Sequence, residues 1–183
     1  MLARVKSHIF VTDAPIIVTA LLGDADFAWA DGLRRAHFPP ERNIVPAHIT
    51  LFHHLPPTAL DEVKTLVRRE TNGVAPLPAR TGALINLGRG VAYRIDSPAL
   101  ERVREHLADA LHGLLVPQDK ARWRPHITIQ NKVEPKVAAA LHRTLSADFA
   151  PRPLTIAGIA LWAYRGGPWE PLSRHMFARR AGG

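Results

Sequence analysis

Two stretches of this chain, PAHITLFHH at 46–54 and WRPHITIQN at 123–131, carry the same string: His-Ile-Thr followed by an aliphatic residue. Each alternates polar and apolar residues as a strand does, and in a strand residues i and i+2 share a face. His48 and Thr50 then stand on one side of the first strand, with Ile49 and Leu51 on the other. His126 and Thr128 stand on one side of the second, with Ile127 and Ile129 opposite. Each strand has an apolar side for helices to cover and a polar side that sets an imidazole beside a hydroxyl. Brought together, two such strands make one cleft holding two imidazoles and two hydroxyls.

The surrounding pattern recurs with them. Residues 14–22 read as a buried strand. Asp24 is placed to cap a helix running to about His37, where Pro39 and Pro40 stop it. After the first motif, Thr58 and Asp61 resemble a capping box ahead of a stripe of Leu60, Val63, Leu66 and Val67. A strand follows near 80–88, with a tight turn at Gly88 and Gly90. Residues 90–96 read as a strand again, and Ser97-Pro98 opens a helix with Leu100, Val103, Leu107 and Leu111 on one face. After the second motif, Pro135 opens a helix carrying Val137, Leu141 and Leu145. Residues 153–164 form the strongest strand, and a turn at 165–168 leads to a last strand near 169–178. The order strand, helix, strand, helix, strand thus occurs twice, over about 14–88 and 90–165, with a terminal hairpin at 154–178. A duplicated α+β unit with a pseudo-twofold axis is expected.

With no cysteine, the chain has no disulfide, no thiolate nucleophile and no Cys-based metal site. The adjacent His53 and His54 would point to opposite faces of a regular strand, and no H-E-x-x-H or acidic cluster supports them. Neither a metal nor a cofactor is therefore expected. Arg4 and Lys6 precede the apolar run 15–22, but the run is short and Asp13, Asp24 and Asp26 flank it, which fits an early strand better than a secretion signal. No segment is long enough to span a membrane, and a cytoplasmic location is expected. Lys and Arg total 24 against 16 Asp and Glu, an excess that favours polyanionic partners such as nucleotides or RNA.

The four motif groups suit phosphoryl chemistry. Opening a cyclic phosphodiester needs a base to activate water and an acid for the departing oxygen. Histidine, with an ordinary pKa near 6.5, supplies either. The threonine hydroxyls can donate to non-bridging oxygens as charge develops there. Phe52 continues the His48/Thr50 face, where it would stack on a base or end the core, and Gln130 continues the His126/Thr128 face. Arg122, Arg124 and Lys132 flank the second motif as candidate phosphate contacts. Tyr164, Arg165 and Trp169 border the glycine turn, where a loop could close over the cleft. A third His-x-Thr, at His142 to Thr144, falls in an expected helix, where i and i+2 diverge.

The paired motifs, their spacing and the element order resemble the two-histidine phosphoesterase superfamily. It includes 2′-5′ RNA ligase-like proteins and cyclic phosphodiesterases of RNA processing. The resemblance covers nearly the whole chain and puts the family's motif residues on His48, Thr50, His126 and Thr128. It implies one bilobal domain over residues 1–183, with two antiparallel-rich sheets lining a central cleft and helices outside. It also implies metal-independent hydrolysis, or reversible formation, of phosphodiesters at nucleotide or RNA ends bearing a 2′,3′-cyclic phosphate or a 2′-5′ linkage. A module that binds such an end without turnover would use the same cleft. Since both motifs lie on one chain, a monomer without an obligate protein partner is sufficient. Departures follow both motifs: Gln130, Asn131 and Lys132 replace a common Gly-Arg, and Phe52, His53 and His54 replace a Phe-Leu-Gly ending.

Overall fold

The computed structural model describes residues 13–179; Arg4, Lys6 and the tail from residue 180 lie outside them. The elements follow the expected order. They are β1 (Ile16–Leu22), α1 (Asp24–His37), β2 (Ile49–Leu55), α2 (Leu60–Thr71), β3 (Leu77–Asn86), β4 (Val91–Asp96), α3 (Pro98–Ala110), α4 (Pro117–Lys120), β5 (His126–Gln130), α5 (Pro135–Ala147), β6 (Pro153–Ala163) and β7 (Glu170–Met176). The one-turn helix α4 is the addition that no sequence signal announced. No helix among the described residues is long and apolar enough to cross a membrane.

Helix ends divide into those the sequence predicts and those the tertiary structure overrides. Ser97 caps α3 as expected: its Oγ accepts from the Leu100 N–H at 3.2 Å, with Pro98 in the first turn. Asp24 does not cap α1. Gly23 occupies the cap position, and the nearby Asp26 carboxylate accepts instead from Arg152 and from the Thr155 N–H, each at 2.8 Å. The capping box at Thr58 does not form either, because a 3₁₀ turn over Pro57–Ala59 absorbs that residue and α2 starts from Ala59. On α5 the buried residue is Ala138, with Leu141 and Leu145 packed against the core, while Val137 is 44% exposed. The stripe runs i, i+3, i+7 from Ala138, and Val137 lies about 100° off it.

The seven strands among the described residues are antiparallel neighbours in one hydrogen-bonded set, in the order β2-β1-β6-β3-β4-β5 with β7 also on β6. The two expected sheets are joined because β6 is long. Its first residues, Pro153–Ile156, pair with β3; the rest pairs with β1 on one edge and β7 on the other. Exchanging β1 with β4, β2 with β5 and β3 with β6 returns the same order reversed. Each half of the sequence thus lends its third strand to the other: β6 completes the group of β1 and β2, and β3 that of β4 and β5. The apolar sides of the two motif strands, Ile49, Leu51, Ile127 and Ile129, are fully buried. Gly90, in the β3–β4 turn, passes so close to β5 that a Cβ there would lie 2.0 Å from the Gln130 carbonyl oxygen, which only glycine permits.

Candidate active site

His48 stands immediately before β2 and His126 opens β5, and both imidazoles are held in the same way. His48 Nδ1 lies 2.7 Å from the carbonyl oxygen of Pro46, and His126 Nδ1 lies 2.7 Å from that of Arg124. A carbonyl only accepts, so each Nδ1 carries its proton and donates it. The ring is thereby fixed in direction, and Nε2 is the nitrogen left for chemistry. The two motifs also brace each other. Trp123 Nε1, just before β5, donates to the Thr50 carbonyl at 2.9 Å. Arg34 Nη1, from α1, donates to the Thr128 carbonyl at 2.7 Å.

Beyond the threonines the alternation fails, in both strands at the same place. Thr19 pairs with Thr50, but the next residue of β1, Val18, pairs with Phe52. Ala92 pairs with Thr128, but its neighbour Val91 pairs with Gln130. Leu51 and Ile129 are therefore the extra residues of two equivalent β-bulges, and each bulge turns the following side chain over. Phe52 does not continue the His48/Thr50 face. It is fully buried with the Arg104 guanidinium 4.6 Å from its ring centre. Gln130 likewise leaves the His126/Thr128 face and is 4% exposed; its Oε1 has no partner among the described residues.

The remaining candidates separate. A cleft of about 340 Å³ is lined by His48 and Thr128 together with Arg34, Lys132, Tyr164 and Trp169, so residues from both halves meet there. Lys132 reaches it from a left-handed backbone position, φ 62°, steadied by its N–H donating to Asn131 Oδ1 at 2.7 Å. Arg165 is not part of this lining: its guanidinium is held by Glu170 at 3.1 Å and by Asp13. Arg124 contributes its carbonyl to His126 while its side chain lines a different pocket. Trp169 is already packed on the cleft. Its ring centre lies 4.7 Å from that of His48, and Trp162 stands behind it with Nε1 donating to Thr19 Oγ at 2.8 Å. A pocket of about 390 Å³ opens on these rings and is walled mainly by apolar residues, Phe27 and Ile44 among them. The third His-x-Thr lies in α5, remote from this arrangement in role: His142 is 3.4 Å from the Leu84 carbonyl.

Arg34 and Trp123 escaped the sequence reading. Arg34 is 4% exposed, and besides Thr128 it bonds Asn43 Oδ1 and the Val45 carbonyl, with Phe38 beneath it at 4.5 Å. Its one sequence signal is its place four residues after the buried Ala30, on the inward stripe of α1. Burial lowers the pKa of His48 to about 4, and the charges of Arg34, His126 and His53 push the same way, against the Pro46 hydrogen bond. His48 is thus a neutral imidazole at neutral pH. His53 and His54 form a second irregularity in β2, both exposed, where three residues of β2 span two of β1. The buried Asp119 accepts the backbone N–H groups of both and the His53 ring. Burial alone would raise the Asp119 pKa, but these bonds hold it below the ordinary carboxylate value.

Residues 22–168 match the sequence model of the 2′-5′ RNA ligase superfamily. Among solved structures, TT0787 of Thermus thermophilus superposes with a TM-score of 0.64 at 17% identity, over 89% of this chain and 97% of its own. Escherichia coli LigT complexed with 3′-AMP superposes with a TM-score of 0.57 at 18% identity, over 90% of this chain and 98% of its own. A structure described as a phosphoesterase gives 0.56 at 18% identity, over 90% and 99%. At these identities the likeness is one of fold. No curated protein matched by sequence.

Proposed function

The chain belongs to the 2′-5′ RNA ligase superfamily, and from that premise we propose that it is a metal-independent phosphodiesterase of nucleotide or RNA ends, acting on 2′,3′-cyclic phosphates or 2′-5′ linkages. The observation that carries this reading is the paired pinning of the imidazoles. Each Nδ1 is spent on the carbonyl two residues back, so two directed Nε2 atoms remain, one per motif strand. The binding of 3′-AMP by LigT, which shares the fold, supports a nucleotide ligand.

In hydrolysis of a cyclic phosphate, water attacks phosphorus, a new P–O bond forms and the bond to the 2′ or 3′ oxygen breaks. His48, neutral at neutral pH, takes the proton from water. His126 supplies a proton to the departing ribose oxygen. The protonated His48 then loses its proton to solvent and His126 takes one up, which restores the pair; the exchanged roles serve the reverse, ligating direction. Thr50 and Thr128 donate to the non-bridging oxygens, with Lys132 at the cleft adding positive charge. The indole face of Trp169 and the apolar pocket beside it offer a surface for the nucleobase.

The test is turnover in EDTA of 2′,3′-cyclic mononucleotides, a cyclic-phosphate RNA and a 2′-5′-linked oligomer, with His48→Ala and His126→Ala alongside. Turnover of at least one substrate, lost in both variants, is the expected result. Activity retained in both variants overturns the mechanism. Nucleotide binding without turnover of any substrate would leave a binding module in the same cleft.

A further inference from the structure

A pocket of about 400 Å³ at the start of β5 takes no part in the chemistry above. Its walls include Arg94, Arg122, Trp123 and Arg124, together with the carboxylates of Asp96 and Glu101. It adjoins His126 through one of its wall residues. Arg94 pairs directly with His126 across β4 and β5, so their side chains share a face, with Cβ atoms about 5 Å apart. The Arg124 carbonyl is the group that fixes the His126 ring.

The composition of this pocket differs from that of the cleft. Arg94 is held by Asp96 at 3.0 Å, which neutralises part of its charge. Arg122 and Arg124 are exposed, and neither has a carboxylate partner among the described residues. Between them Trp123 is half-buried and anchored through Nε1 to the Thr50 carbonyl, so its ring is held in place at the pocket wall. An immobilised aromatic face flanked by two unpaired guanidinium groups is the chemistry that holds one unit of a single nucleic-acid strand: stacking for the base, charge for its phosphate. Asp96 and Glu101 limit the positive excess, which suits one phosphate better than a polyanionic surface.

We propose that this pocket is a subsite for the nucleotide next to the reacting end, its base against Trp123 and its phosphate between Arg122 and Arg124. The substrate is then an oligonucleotide terminus rather than a lone cyclic mononucleotide. The inference rests on the phosphodiesterase reading of His126, and its test keeps the two apart.

Equilibrium binding of a 3′-phosphorylated mononucleotide and of the matching dinucleotide is measured on the wild-type chain, Arg122→Glu and Arg122→Lys. Turnover of the cyclic-phosphate forms is followed in parallel. The wild type should bind the dinucleotide at least about tenfold more tightly. Arg122→Glu should abolish that gain while leaving mononucleotide affinity within about twofold, and Arg122→Lys should keep most of it. Equal wild-type affinity for the two ligands, or a loss in Arg122→Glu common to both, overturns the subsite. A dinucleotide gain with no turnover of either cyclic form supports the subsite and overturns the catalytic reading. Turnover of both forms with no gain does the opposite.

Discussion

The strand that carries His48 and the strand that carries His126 are alike in backbone and unlike in surroundings. In both, the imidazole Nδ1 donates to the carbonyl two residues earlier, the threonine carbonyl is held by a side chain from the other half, and a bulge follows at the next aliphatic residue. Around His48 stand Trp169, Trp162 and the buried Arg34; around His126 stand Arg94, which also walls a pocket with Arg122 and Trp123, and the Arg124 carbonyl. The shared backbone device fixes tautomer and direction. The walls around His48 lower its proton affinity. Equal geometry with unequal environment is how two chemically identical side chains could take the complementary roles proposed for them.

The largest expected effect tests the likeness. His48→Ala and His126→Ala should each lower kcat by about 10²–10⁴-fold, and the double variant should fall little below the worse single one, because the pair acts as a unit. A tenfold or smaller loss in either single variant would break the equivalence. The braces test the difference. Arg34→Met removes a buried charged donor from three acceptor groups and should cost about 2–3 kcal/mol in urea denaturation, against about 1 kcal/mol for Trp123→Phe, which removes one neutral bond. Equal costs would show that the two braces carry the same load.

Acidity sharpens the comparison further. With its pKa at about 4, His48 stays unprotonated well below pH 6.5, so the acidic limb of kcat/KM set by this base should lie near pH 4 to 5. The same depression couples to folding. Between pH 6.5 and about 4 the unfolded chain binds a proton at this residue that the folded chain does not. Its contribution to stability is complete above pH 6.5, falls as the solution is acidified through that window, and changes no further below pH 4. His48→Gln should flatten that part of the pH–stability curve, whereas an unchanged slope would show that His48 is not the group responsible. The smallest change belongs to Trp169→Ala, which admits water beside His48 and should move the acidic limb upward, toward pH 6.5, in a pH-rate profile.

What could be read in the sequence was whatever depends on neighbours along the chain. The i, i+2 relation puts His48 with Thr50 and His126 with Thr128, and the Ser97-Pro98 pair marks the start of α3. The errors begin where a partner strand decides. Leu51 and Ile129 have the same aliphatic character whether they sit in a regular ladder or form a bulge. Nothing local announces that Phe52 and Gln130 turn inward. Gly90 is the trace the second bulge leaves in the sequence, yet its meaning depends on knowing that the Gln130 carbonyl passes over it. Arg34 and Trp123 act across the molecule on backbone carbonyls, which carry no residue identity, so no motif could have named them. Arg165 differs: the sequence marks it beside the glycine turn, but ion pairs with Asp13 and Glu170 hold it outside the cleft lining.

The exchange of third strands also sets the order in which this chain can become structured. Ile16 of β1 is in register with Ala163 of β6, so the strand beside the first motif waits for nearly all of the chain before its long edge is covered. At a synthesis rate of about 5–20 residues per second, β1 leaves the ribosome roughly 7 to 30 seconds before its partner does. During that interval an apolar strand has an open hydrogen-bonding edge, the situation in which other chains are captured. Folding dominated by such distant pairings is slow, and the nascent first half is the part of this molecule with most to gain from a chaperone that shields strand edges.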